Sequence, residues 1–266
     1  MPDTESLEKW LRTANAIVDE SRAHILKSVR EGFEHRMKDD DTYVTDVDLG
    51  VEELLRRRIE TRFPEHGIVG EEQDDVRPDA RLRWTIDPID GTHSFRHGLP
   101  LYATLLALLD GDRPVLGVID LPGMDVRVSG ARGCGVTRNG SALGFDPVCE
   151  EGIEKEIIAT GERQQFEAVG RVGVFDHLMA SHAHVRTYCD AFGHALTLGG
   201  GVGGMVDFGL HLWDMAPTEL LVTEAGGAYE TLFRGSPLNT EGRHNVVFGK
   251  PAVVAWLMDR IKEAGQ

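Results

Sequence analysis

Between positions 102 and 140 short apolar runs alternate with turn signals, and this rhythm limits most strongly what the chain can become. YATLLALL is followed by DGDRP and VLGVIDLPG by DVRVSG, and Arg138-Asn139-Gly140 closes the series as a hairpin-type turn. The pattern predicts an antiparallel meander. Segments on either side must then supply the elements that cover it.

Upstream the spacing is helical. Leu7, Trp10, Leu11, Ala14, Ile17, Val18, Ile25, Leu26, Val29 and Phe33 predict a long amphipathic packing helix with Gly32 near its end. A second helix is predicted over 46–62, capped by Thr45 or Asp46 and broken by Pro64 and Gly67. Two short apolar strands follow, at 67–70 and 83–86, and each runs into acid: Glu71-Glu72 after the first, Asp87 after the second. The second half is mixed, with a strand near 156–159, a helix around 175–183, a helix over 213–225 and a late strand at 246–248. Pro217 is expected in the first turn of its helix, where proline is tolerated. The GGGVGG stretch at 199–204 has no GKS or GKT ending and predicts a loop or a loosened helix end rather than a phosphate loop.

With 266 residues, 41% of them hydrophobic, the chain can bury a core without covalent staples. Its formal net charge of −16 disfavours nucleic acid and anionic membranes as partners, since both need a basic surface. A phosphorylated ligand is repelled as well unless bound divalent cations reverse the local sign, although an acidic solvated surface accounts for most of the excess. Cys134, Cys149 and Cys189 are too far apart for a CxxC metal site, and they predict buried thiols. No stretch approaches the roughly 18 apolar residues of a membrane span, and MPDTESLEKW lacks the features of a signal peptide. These features predict a cytoplasmic location.

The segment that carries chemistry is Trp84-Thr85-Ile86-Asp87-Pro88-Ile89-Asp90-Gly91-Thr92. A strand delivers Asp87 to its end, Pro88 is expected to turn the chain, and Asp90 returns three residues later to the same point. Two converging carboxylates repel unless a cation sits between them or one is protonated. Gly91 leaves room for a ligand, and the N–H groups of Gly91 and Thr92 could hold a phosphate if a helix starts there. A lone DxxD spacing reads equally as an Asx turn with Asp90 capping a helix. Glu71 past its own strand, Asp214 at a helix start and Asp48 at another would add acids to the same point, or else the last two serve as simple N-caps.

In this order and with these neighbours, VTDVD at 44–48, GIVGEE at 67–72, WTIDPIDGTHSF at 84–95 and HLWDMAPTELLVTEAGG at 211–227 resemble the inositol monophosphatase family of lithium-sensitive, magnesium-dependent phosphatases. The resemblance implies an alternating α/β/α/β/α layered sandwich, a mixed α/β and α+β fold. It also implies one catalytic unit over 1–266, with an N-terminal α+β part over about 1–145 and a C-terminal α/β part over about 146–266. Two or three Mg²⁺ ions, replaceable by Mn²⁺, a small phosphorylated metabolite as substrate and a homodimer are implied in the same way. Thr92-His93-Ser94-Phe95, Gly98-Leu99-Pro100, PVLGVIDLP and Cys189-Asp190-Ala191-Phe192-Gly193 are similar to the histidinol-phosphate phosphatase branch. His93 stands where that branch usually has Lys, and GLHLWD looks more like the GIHCWD of animal inositol monophosphatases.

Carried over by position, the family's roles place one metal ion on Glu71, Asp87 and the Ile89 carbonyl, and a second on Asp87, Asp90 and Asp214. Glu71, with Thr92 oriented by Asp48, would position and deprotonate the attacking water. Gly91, Thr92, His93, Asp190, Asp207 and His211 are the candidates for substrate contact, Asp207 because the inositol phosphatases carry an acid six residues before this Trp. Histidinol phosphate leads as substrate, with inositol 1-phosphate or a related sugar or nucleotide (bis)phosphate as the alternative. A silent metal- and phosphate-sensing scaffold is the non-enzymatic alternative, opposed by the presence of all four metal carboxylates.

Overall fold

The computed structural model describes residues 2–37, 43–146, 149, 151–232 and 243–264. Helix α1 (Thr4–Glu31) starts at Asp3, whose carboxylate accepts the Ser6 N–H at 2.8 Å, and stops at Gly32. Strands β1 (His35–Met37) and β2 (Tyr43–Thr45) form a small hairpin that leads into α2 (Asp46–Arg62). Next come β3 (Gly67–Gly70), β4 (Leu82–Asp90), the short helix α3 (Thr92–Arg96), β5 (Ala103–Asp110), β6 (Arg113–Leu121), β7 (Val126–Ala131), β8 (Gly135–Arg138) and β9 (Ser141–Leu143). Strands β3 to β9 form one seven-stranded sheet in sequence order. It is antiparallel throughout except where β3 runs parallel to β4, so the predicted meander is present and extends further in both directions.

The second half contributes β10 (Ile158–Thr160), α4 (Arg163–Ala168), α5 (Val172–Ser181), β11 (Val185–Thr187), α6 (Asp190–Leu198), β12 (Gly204–Leu210), α7 (Leu212–Glu224), β13 (Ala228–Leu232), β14 (His244–Gly249) and α8 (Pro251–Ala264). Its five-stranded sheet has the order β11-β10-β12-β14-β13, parallel through the first three strands and antiparallel after them. The Gly-rich stretch is a loop: Gly199 caps α6, Gly200 has φ +77°, and Gly204 opens β12.

Strand periodicity explains the layering. On β5, Leu106 and Leu108 face a core shared with Trp84, Ile86 and the helices α1 and α2, whereas Leu105, Ala107 and Leu109 face a second core with Leu198 of α6 and Leu221 of α7. On β12, Met205 joins that second core while Val206 and Phe208 join a third with Phe166, Val174 and Leu257. Two outer cores and a middle one that reaches both sheets across α6 and α7 give the five-layer α/β/α/β/α order. Each fully buried leucine contributes about 1.5–3 kcal/mol.

Three local expectations are corrected. The chain does not turn at Pro88; β4 runs on to Asp90. Pro217 is not in the first turn of α7 but in its second, packed against β6 so closely that a Cβ at Gly117 would lie 2.9 Å from the Pro217 carbonyl oxygen. All three cysteines are partly exposed and unpaired rather than buried.

Candidate active site

Asp87 and Asp90 are three residues apart, and a regular strand would aim them to opposite faces. On β5 their partners Leu105 and Ala103 are only two residues apart. Strand β4 therefore carries an extra residue at this point, and the bulge brings both carboxylates to one side. Pro88 suits it, because it has no N–H to lose from the ladder, and its carbonyl accepts the Thr104 hydroxyl at 2.9 Å. Asp214 comes from the start of α7, and ligand-type oxygens of Asp87, Asp90 and Asp214 all lie within 4.8 Å of one another.

Two helices present their acids by the same device. Asp48 and Asp214 are each the third residue of a helix and close a capping box, which replaces the expected simple N-caps. Asp48 Oδ2 accepts the Thr45 N–H at 2.8 Å and the Thr45 hydroxyl, while Oδ1 accepts the Thr92 hydroxyl at 3.3 Å. Asp214 Oδ2 accepts the His211 N–H at 2.7 Å. Half of each carboxylate thus holds its helix start and half remains for the site. Thr92 follows Gly91, which has φ +80° and packs so tightly that a Cβ there would lie 2.7 Å from the Leu101 carbonyl oxygen. The Thr92 hydroxyl also reaches the Ile89 carbonyl at 3.0 Å.

Glu71 lies at the end of β3, beside this trio, and is held by its loop. Glu52 of α2 accepts the neighbouring Glu72 N–H at 2.9 Å, and Arg56 donates to the carbonyls of Gln73 and Asp74 at 2.9 Å each. The Glu52–Arg56 ion pair is buried at 2.7 Å.

Electrostatics show the cost of gathering these acids. Burial, then the charges of Glu71, Asp90 and Asp214, hold the Asp87 carboxyl well above the usual carboxylate range. Burial and the charges of Asp190 and Asp214 do the same to Asp90, against the opposing effect of the Ala191 N–H it accepts. Asp214 is raised by burial and Glu71. Burial pushes Asp48 up to about 6, although the Thr45 hydrogen bonds pull it down. Asp87 Oδ1 is buried with no hydrogen-bond partner. An orphaned carboxylate oxygen amid mutually repelling acids fits a hard divalent cation.

A cleft of about 890 Å³ opens beside the cluster, lined by Glu71, Gly91, Thr92, His93 and Asp190, all site candidates from sequence, and by Tyr43, Glu162, Tyr188 and Phe192, which are not. Asp190 opens α6 in the left-handed region, φ +60°, and burial and the charge of Asp207 push it up to about 7. Glu162 follows a short apolar strand as Glu71 does, so the same signal could have found it. Asp207 and His211 do not line the cleft. Asp207 is 1% exposed, with Oδ2 3.1 Å from His194 Nε2 and Oδ1 accepting the Phe208 N–H at 2.9 Å. His211 caps α7 with its ring stacked on Trp213 at 4.7 Å.

A layered sandwich that gathers acidic oxygens from separate strands and helices at one end of its larger sheet is the build of a metal-dependent phosphoric monoester hydrolase. The sequence model of the inositol monophosphatase family matches residues 4–260, and the chain belongs to that family. It is 34% identical to the histidinol-phosphatase of Chlorobaculum parvum over 218 residues, 82% of this chain and 80% of that protein. It is 30% identical to the probable inositol 1-monophosphatase ImpA of Mycobacterium tuberculosis over 261 residues, 95% of this chain and 94% of that one. The structure of an inositol monophosphatase from Anabaena superposes with a TM-score of 0.82 at 24% identity, covering 97% of both chains. No helix among the described residues is long and apolar enough to cross a membrane.

Proposed function

We propose that this phosphatase hydrolyses histidinol phosphate to histidinol and phosphate. One observation carries the reading: the cleft beside the acid cluster combines two further carboxylates, Glu162 and Asp190, with the rings of Tyr43, Tyr188 and Phe192. An organic group bearing an ammonium and an imidazole needs acids for its charge and rings for its face. Inositol 1-phosphate is the second reading, favoured by the relative in Mycobacterium tuberculosis. It is weakened by Asp207, whose two oxygens are committed to His194 and to the Phe208 N–H rather than to a substrate hydroxyl.

In this reading Glu71, Asp87, the Ile89 carbonyl, Asp90 and Asp214 hold Mg²⁺, for which an all-oxygen set is suited and Mn²⁺ a substitute. When bound, the ions neutralise the phosphate and lower the pKa of the attacking water. The N–H groups of Gly91 and Thr92 donate to phosphate oxygens. The Thr92 hydroxyl orients the water, takes its proton and passes its own to Asp48 Oδ1, which is free of the capping bonds and whose pKa burial pushes up to about 6. Glu71 completes the general-base end, and His93 at the cleft wall meets the organic part. The whole chain acts as one catalytic unit, whose site gathers the ends of β3 and β4 with the starts of α2, α6 and α7; it is a cytoplasmic protein and, by family habit, a homodimer.

The test is phosphate release from histidinol phosphate, inositol 1-phosphate, fructose 1,6-bisphosphate and adenosine 3′,5′-bisphosphate, with and without Mg²⁺. The reading expects histidinol phosphate to give the highest kcat/KM, only with Mg²⁺. A clear preference for inositol 1-phosphate would replace it.

A further inference from the structure

Beneath the site lies a buried polar chain that the chemistry above does not use. His194 of α6 is 1% exposed; its Nδ1 is 2.7 Å from Thr218 Oγ1 of α7, and its Nε2 is 3.1 Å from Asp207 Oδ2 of β12. Thr218 and Asp207 are 0% and 1% exposed. Phe248 packs edge-on to the imidazole at 5.0 Å and fixes its plane. A ring that donates from Nε2 to the carboxylate can accept the threonine hydroxyl at Nδ1, so every member is satisfied.

The positions of these residues give the chain its meaning. His194 is four residues after Asp190, the first residue of α6, and Thr218 is four residues after Asp214, in the first turn of α7. Residues four apart share one helix face about 6 Å apart along the axis. The His194–Thr218 bond therefore ties the two helices one turn below the two acids they present. Asp207 extends the tie to the cleft wall: a Cβ at Gly161 would collide with Asp207 Oδ1, so the turn that delivers Glu162 rests directly on that carboxylate.

We propose that His194 is a positioning residue, a strut that through Thr218 and Asp207 fixes the spacing of Asp190, Asp214 and Glu162 and so sets both metal affinity and substrate KM. The inference rests on Asp214 being a metal ligand. Thr218→Val keeps the volume and removes the hydroxyl, and His194→Phe removes both hydrogen bonds. Mg²⁺ binding by titration calorimetry, and KM for histidinol phosphate, are measured well below the melting temperature. Both variants are expected to bind Mg²⁺ about tenfold more weakly and to raise KM by a similar factor, as loss of groups that orient ligands does. Thr218→Ser, which keeps the hydroxyl, is expected to restore wild-type values. A lowered melting temperature with wild-type Mg²⁺ affinity and KM in Thr218→Val would reduce the chain to ordinary packing and overturn the proposal. Should Thr218→Val not fold, His194→Gln, which keeps a donor for Asp207, is read by the same two numbers. Asp214→Asn separates the two ideas: wild-type Mg²⁺ binding there would remove the metal assignment itself, whereas its loss leaves the strut to be decided by Thr218.

Discussion

The starts of α2 and α7 are built alike and used differently. Each places an aspartate third in the helix and commits Oδ2 to the N-cap backbone, Asp48 to Thr45 and Asp214 to His211. At α2 the N-cap is a threonine whose hydroxyl also bonds the carboxylate, and Asp48 rises only to about 6. At α7 no hydroxyl is supplied, Asp214 clusters with Asp87 and Asp90, and it is raised by burial and Glu71. A capping box thus fixes where a carboxylate stands but not its role. In the proposed function, what faces the uncommitted oxygen decides that: a threonine hydroxyl would make it a proton acceptor, and two further acids would make it a cation ligand.

The largest expected effect is a difference between the two aspartates. Asp214→Asn can still accept the His211 N–H, so the helix start persists, but phosphate release should fall about 1,000-fold, the upper range for removing one preorganised electrostatic group. Asp48→Asn, one bond removed from the water, should lose only about 10–100-fold. Steady-state kcat for the two variants checks this, and equal losses would erase the distinction.

A middle-sized effect concerns pH in a chelator. Asp87, Asp90, Asp214, Asp48 and Asp190 all have folded pKa values above their unfolded ones, so the folded state binds more protons between the two. The stability these five groups contribute is fully present below about pH 4 and is lost as pH rises; for Asp190 the window runs from about 4 to about 7. The melting temperature of the metal-free protein should drop by about 5 °C across that window. Mg²⁺ should restore it, and Asp214→Asn should flatten the drop more than Asp48→Asn. A melting temperature that climbs from pH 5 to 7 in chelator would contradict the electrostatic account.

The smallest effect isolates the threonine. Thr45→Ala removes the side-chain cap of α2 and should cost about 1 kcal/mol in urea unfolding. It also removes the hydroxyl that lowers the Asp48 pKa, so the acid limb of the pH–rate profile should move upward. An unmoved limb would separate Asp48 from the proton transfer.

Local chemistry made much of this legible in the sequence. The apolar runs of the meander with their turn signals, the Thr45 cap, Gly32 and Gly91 each act within a few residues, and the four acids after apolar runs or at helix starts announce themselves. At Pro88 local rules predict a turn, because the geometry of the bulge depends on the two-residue spacing of β5, a partner no local rule includes. Asp207 stands at the family's spacing from Trp213, which implies a substrate contact. Its fate was set by His194, thirteen residues earlier on another element, reaching it through the packing of α6 on β12. Helix α8, which covers the outer face of the five-stranded sheet, is not among the sequence expectations, although Val253, Val254, Leu257 and Ile261 follow a helical period after Pro251.

The central claim is that the bulge in β4 builds a divalent-cation site from Asp87, Asp90 and Asp214. Calorimetric titration of Mg²⁺ into the wild-type protein and into Asp87→Asn tests it directly, with circular dichroism to show that both are folded. Wild-type protein should bind and Asp87→Asn should lose binding together with phosphate release; undiminished Mg²⁺ binding by a folded Asp87→Asn would contradict it.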